Sequence, residues 1–137
     1  MVSISVKYEG ELHCEAIHGP SKNTLSTDAP VDNKGRGETF SPTDLVATGL
    51  ATCMATIMGQ QADTLGIDIS GMEIDVDKIM STERPRRIVA LPVRIQMPIA
   101  YDEKTAKMME RAAHTCPVHH SIHPDIEVAV SFQWAEA

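Results

Sequence analysis

Eighteen consecutive residues, Leu45 to Ala62, carry no charge at all. That stretch limits the possible folds more than any other feature of the chain. Ser41-Pro42 marks its start as a helix, with a hydroxyl N-cap, proline at the first helical position and Asp44 near the positive end of the dipole. The predicted helix runs from Pro42 to Leu65 and stops at Gly66. Its length just meets the minimum for a membrane span. Thr48, Thr52, Thr56, Gln60, Gln61 and two glycines nevertheless match lipid poorly. A helix without a charged face is instead expected to be buried on all sides. A chain of 137 residues can hardly surround such a helix alone, so a second subunit is expected to cover it.

The flanking segments read as strands. Val2, Ile4, Val6 and Tyr8 alternate with Ser3, Ser5 and Lys7, the period-two pattern of a half-buried strand. After Glu9-Gly10 a second strand sets Leu12, Cys14 and Ala16 on one face and His13 and Glu15 on the other, and Asn23 to Thr27 adds a third. Asp28 to Phe40 is polar, contains Pro30, Gly35 and Gly37, and reads as a long loop of the kind that often carries function. Beyond the helix, Met72, Ile74 and Val76 alternate with acidic residues. Past the charged hairpin Glu83-Arg84-Pro85-Arg86, the residues Arg87, Val89, Leu91, Val93, Ile95 and Met97 share one face. Pro92 makes that strand an edge or a bulge. Asp102 to His114 forms a second helix capped by Asp102, Thr115-Cys116-Pro117 breaks it, and Val128, Val130, Phe132 and Trp134 close the sheet. The order β-β-β-α-β-β-α-β is an α+β fold in a single domain, residues 1–137, without internal repeats.

Composition removes several functional classes. Twelve basic against nineteen acidic residues give a net charge of −7. Phosphate binding needs a basic surface, so a nucleic-acid partner is not expected. Hydrophobic residues make up 42% and charged ones 23%, enough for a core and too few charges for disorder. Aromatics are 4% beside eight methionines, so that core is aliphatic and thioether. The N-terminal segment has neither a basic region nor an apolar signal core, and the expected compartment is cytoplasmic.

Three cysteines carry the chemistry. Cys14, on the apolar face of a strand, reads as structural. Cys53 lies in the middle of the uncharged helix, where a small buried apolar residue is the plain alternative to a functional thiol. Cys116 precedes Pro117, which would place its thiol at a helix N-terminus that favours thiolate, with His114, His119 and His120 nearby to add charge or take a proton. On residue chemistry alone, Cys116 is the more acidic thiol. Neither cysteine belongs to a C-x-x-C motif, so a thioredoxin-type redox site is not supported. His119 and His123 stand at i, i+4, but Pro124 ends the turn and no second ligand cluster follows. Neither a metal nor another cofactor is expected.

Ser41-Pro42-Thr43-Asp44-Leu45-Val46-Ala47, then Cys53, a charged hairpin, and Cys116-Pro117-Val118-His119 together resemble the OsmC/Ohr family along essentially the whole chain. The Ohr branch has a glutamate ten residues before its first cysteine, salt-bridged to an arginine. Here that position is Thr43, which places the chain in the broader OsmC-like branch. The resemblance implies a domain-swapped homodimer, with mixed sheets around two long central helices. It implies a thiol peroxidase for organic hydroperoxides, acting in the oxidative or osmotic stress response without a cofactor. Cys53 would then be the peroxidatic thiolate, Cys116 the resolving thiol, and an external dithiol the reductant.

An ordinary thiol, with a pKa near ~8.5, is only slightly ionised at neutral pH, so Cys53 would need a cation. Arg36, between two glycines, is the first candidate, with Glu38 to orient it; Arg86 and Arg87 are the rivals. Leu50, Met54, Ile57 and Met58 lie within about a turn of Cys53 and would either line an apolar substrate pocket or pack as ordinary core. The alternative function is a small-molecule binding protein that keeps the family fold without peroxidase turnover.

Overall fold

The computed structural model describes residues 1–137, which form two compact units, Met1–Val46 and Ala47–Ala137. The first unit holds a three-stranded antiparallel sheet in the order β1 (Ile4–Gly10), β2 (His13–His18), β3 (Thr24–Asp28). The alternation in β1 predicts a half-buried strand. In the single chain Ile4, Val6 and Tyr8 are instead 64%, 66% and 63% exposed. The loop after β3 contains a short 3-10 turn, Val31–Asn33, and is tied back through Asp28 N–H to Phe40 O, Ala29 N–H to Leu12 O and Gly37 N–H to Ala29 O.

Helix α1 (Pro42–Leu65) begins and ends where its sequence signals place it. At the start Ser41 and Asp44 form a reciprocal capping box: Asp44 N–H donates to Ser41 Oγ at 3.1 Å, and Ser41 N–H to Asp44 Oδ2 at 2.9 Å. At the end Gly66 takes φ +69°, Ile67 N–H reaches Ala62 O and Gly66 N–H reaches Asp63 O. This is the six-to-one and five-to-two pairing of a Schellman cap, and it needs the left-handed residue that glycine supplies. No helix is long and apolar enough to cross a membrane.

The second unit holds the hydrophobic core. Leu50, Met54 and Met58 of α1 are fully buried, as are Leu91 and Met109. The sheet in this unit has the order β4 (Glu73–Val76), β7 (Val93–Ala100), β8 (Val130–Ala135), with β4 and β7 antiparallel and β7 and β8 parallel. A two-stranded ribbon pairs β5 (Ile79–Met80) with β6 (Ile88–Ala90). The strand expected around Met72–Val76 forms as β4, β5 is an additional short strand, and the strand expected from Arg87 to Met97 is broken in two. The break between β6 and β7 falls at Leu91-Pro92, and it shifts the buried phase from Ile88 to Leu91, Val93, Ile95 and Met97. Pro92 thus interrupts the strand as a bulge would, while β7 is the central strand of its sheet and no edge. Helix α2 (Glu103–His114) is capped by Asp102, whose carboxylate accepts from Thr105 N–H at 2.9 Å and Thr105 Oγ1–H at 2.8 Å. The fold is α+β.

Candidate active site

Two elements of the second unit bring Cys53 and Cys116 together. The buried stripe of α1 runs Ala47, Leu50, Met54, Met58, Ala62. Cys53 sits beside it, half-buried against the core. The buried residues of α2 are Thr105, Ala106, Met109, Ala112 and Ala113. Cys116 continues that face by one more step, just past the Thr115 cap, and is completely buried. The two side chains lie close enough to influence each other's ionisation, and both thiols are free. Neighbouring free thiols are candidates to join as a disulfide.

The segment after Pro117 is a pair of turns, not the helix that the sequence suggested. His120 N–H reaches Cys116 O, and Ser121 and Ile122 N–H both reach Val118 O. The Val118 and His119 backbone N–H groups do donate to the Cys116 sulfur and favour thiolate, as a helix terminus would. Burial outweighs them and, with the adjacent Cys53, pushes the Cys116 thiol above its ordinary range. The expectation that Cys116 is the acidic thiol is therefore overturned: desolvation wins over the local donors.

Three imidazoles, from His114, His119 and His120, cluster around the turn that holds Cys116. His119 is tilted against His114 with ring centres 6.2 Å apart, and stacks on His120 at 6.1 Å. Burial, followed by the two neighbouring rings, lowers the His119 pKa below the ordinary value. Its Nδ1 is buried without a hydrogen-bond partner. His123, by contrast, accepts from Asp125 N–H through Nδ1. No three His, Cys, Asp or Glu side chains gather in a geometry that would hold a metal ion. Leu50, Met54 and Met58 are packed core residues, and Ile57 lies against them.

Arg36 and Glu38 lie in the first unit. Arg36 pairs with Glu11, and Glu38 gives its backbone N–H to Asp28 Oδ2 at 3.2 Å. Of the rival pair, Arg87 spends Nη1 on the carbonyl of Ile88 at 3.0 Å. Thr43, at the position of the Ohr-branch glutamate, sits with its hydroxyl 3.2 Å from Ser41 Oγ in the helix cap. Sequence reasoning missed a second buried group in the first unit. Asp28 is only 2% exposed, and its Oδ1 lies 2.6 Å from His13 Nδ1. Fifteen residues separate the two, and only the pairing of the second and third strands, which sets His13 opposite Asp28, could have signalled it.

Comparison with known proteins supplies independent evidence. A sequence model described as OsmC-like protein matches residues 35–131. Among solved structures, the chain is similar to a Psychrobacter arcticus 273-4 protein, provisionally named an osmotic stress induced and detoxification response protein. The two are 47% identical over 97% of this chain and 96% of that one, with a TM-score of 0.92. The chain is also similar to the organic hydroperoxide resistance protein OsmC of Legionella pneumophila (16% identity, 97% and 96% covered, TM-score 0.77). An organic hydroperoxide resistance protein of Elizabethkingia anophelis is similar as well (13% identity, 98% and 96% covered, TM-score 0.79). At those identities the last two establish a common fold alone. No curated protein sequence matches significantly.

Proposed function

The chain belongs to the OsmC-like protein family, and on that premise we propose that it is a cysteine-based peroxidase that reduces organic hydroperoxides. The observation that carries this reading is the closeness of two free thiols, one half-buried and one fully buried. Cys53, the accessible one, attacks the peroxide O–O bond, and an alcohol leaves as its sulfur becomes sulfenic acid. Cys116, already against it, displaces the sulfenic oxygen as water and forms the disulfide. An external dithiol then reduces the pair. Burial supports this order, since a thiol pushed up in pKa and hidden from solvent is a poor first attacker but a well-placed second one.

Arg36 remains the candidate cation for Cys53, and Glu38 its companion, on the chemistry of a guanidinium that stays charged when desolvated. The exposed apolar residues of β1 and the uncharged, half-exposed face of α1 support a homodimer built by strand exchange around those helices. We place the protein in the cytoplasm, where the thiols are kept reduced, and in the oxidative or osmotic stress response.

Hydroperoxide consumption with a dithiol reductant tests the reading. Cys53→Ser should abolish turnover, and Cys116→Ser should stop after one equivalent with sulfenic acid on Cys53. Wild-type turnover by Cys53→Ser would refute the assignment. Arg36→Ala should slow both turnover and alkylation of Cys53 at neutral pH; unchanged rates would leave Arg36 an ordinary partner of Glu11. The capping role of Thr43 favours a second reading, a binding protein of the same fold without turnover. That reading predicts a retained small molecule and thiols inert to hydroperoxide.

A further inference from the structure

One buried side-chain atom, in a residue whose backbone meets the Cys116 sulfur, has no partner. His119 Nδ1 is buried and accepts no hydrogen bond, while the backbone N–H of the same residue donates to the Cys116 sulfur. A buried, unpaired ring nitrogen costs stability, so its presence in a residue held at a reactive sulfur by its backbone points to a step in which it gains a partner. The ring stands between His114 and His120, with centres 6.2 Å and 6.1 Å away. Those two residues are exposed, whereas Cys116 is wholly buried. The three imidazoles therefore link the buried Nδ1 of His119 to solvent.

We propose that His119 is the proton acceptor for Cys116 when the disulfide forms, and that His114 and His120 connect it to solvent. This deepens the peroxidase reading and rests on it, because it concerns the attack of Cys116 on an oxidised Cys53. The Cys116 S–H bond breaks and the proton passes to Nδ1. Its sulfur forms the S–S bond with the Cys53 sulfenic sulfur, whose S–O bond breaks. Oxygen leaves as hydroxide and takes a proton back from the imidazoles to become water. Both sulfurs end at the disulfide level, Cys116 oxidised by one unit and Cys53 reduced by one, so no outside oxidant is consumed. Nδ1 has no hydrogen bond to the sulfur in the reduced protein, so the proton crosses one bridging water or moves after a turn of the ring. The charged or titratable groups that act on the His119 ring are His114 from α2 and His120 from its own turn. Neither is an acid that would keep it protonated at neutral pH.

The test uses a coloured aromatic disulfide, dithiobis-nitrobenzoate, on the Cys14→Ser protein, so that no hydroperoxide is needed. The first thiolate released reports loading of Cys53, and the second reports displacement by Cys116. In His119→Gln the first release should be unchanged and the second about a hundredfold slower, the lower end of what a positioned proton acceptor contributes. Free imidazole should restore part of that loss. In the unsubstituted protein, the second release should slow as pH falls through a value below 6.5. An unchanged second release in His119→Gln, or a slowed one with neither imidazole rescue nor an altered pH profile, would overturn the proposal. Should that variant fail to fold, the wild-type pH profile decides. If the peroxidase reading alone fails, hydroperoxide leaves Cys53 reduced while the dependence on His119 persists with the aromatic disulfide.

Discussion

At Cys116 two backbone N–H donors favour the thiolate and full burial opposes it, and burial prevails. The first unit shows the opposite balance at His13, where the hydrogen bond to Asp28 leads and the charges of Asp28, Glu9 and Glu38 add to it. These together raise the imidazole pKa above 6.5. A group whose folded-state pKa is raised stabilises the fold fully below its unfolded value, and the contribution fades as pH rises through the folded one. Asp28→Asn should therefore bring the His13 midpoint, followed by the NMR shift of its ring proton, back toward 6.5. It should also remove the matching loss of stability with rising pH. A midpoint that stays in place would show that Asp28 does not hold the proton. The cysteines were legible as residues because thiols are few and Cys116 precedes a proline. Their closeness was not, since it depends on residues distant in sequence packing into one core.

The helices are the elements most fully written into the sequence. Their ends are local chemistry: the Ser41–Asp44 box and Gly66 for α1, and Asp102 with Thr105 for α2. Ser41→Ala should cost about 1 kcal/mol, the usual worth of a lost N-cap. Leu50→Ala, in the fully buried stripe beside Cys53, should cost about 2–5 kcal/mol. Denaturant midpoints with an unchanged slope would measure both, and a loss at Leu50 no larger than at Ser41 would contradict the packing described for α1. The strands were less legible. One face was read through Pro92, but the pairing of Leu91 N–H with Glu127 O and of Asp77 N–H with Pro92 O arises from non-local partners that no period-two pattern contains. The turns after Pro117 likewise differ from a helix because Pro124 leaves too short a run to propagate one.

At the scale of the whole molecule, the chain presents apolar surface that it does not itself cover. Ile4, Val6 and Tyr8 stand exposed on a three-stranded sheet, and the uncharged α1 keeps Thr52, Thr56 and Val46 open. A sheet this small needs its apolar face packed to be stable, and the occupant we propose is a second copy of the chain. Sedimentation should give a species of twice the 14.9 kDa chain mass, and Val6→Asp should shift it toward monomer. A wild-type monomer would remove the dimer. The central claim is that this assembly reduces organic hydroperoxides through Cys53 and Cys116. Its most direct measurement is peptide mass mapping of the purified protein after one equivalent of an organic hydroperoxide per chain. The chain should lose two hydrogens, with Cys53 and Cys116 linked in one disulfide and Cys14 left as a free thiol. Reduced Cys53 and Cys116 after that treatment, or a disulfide formed through Cys14, would contradict it.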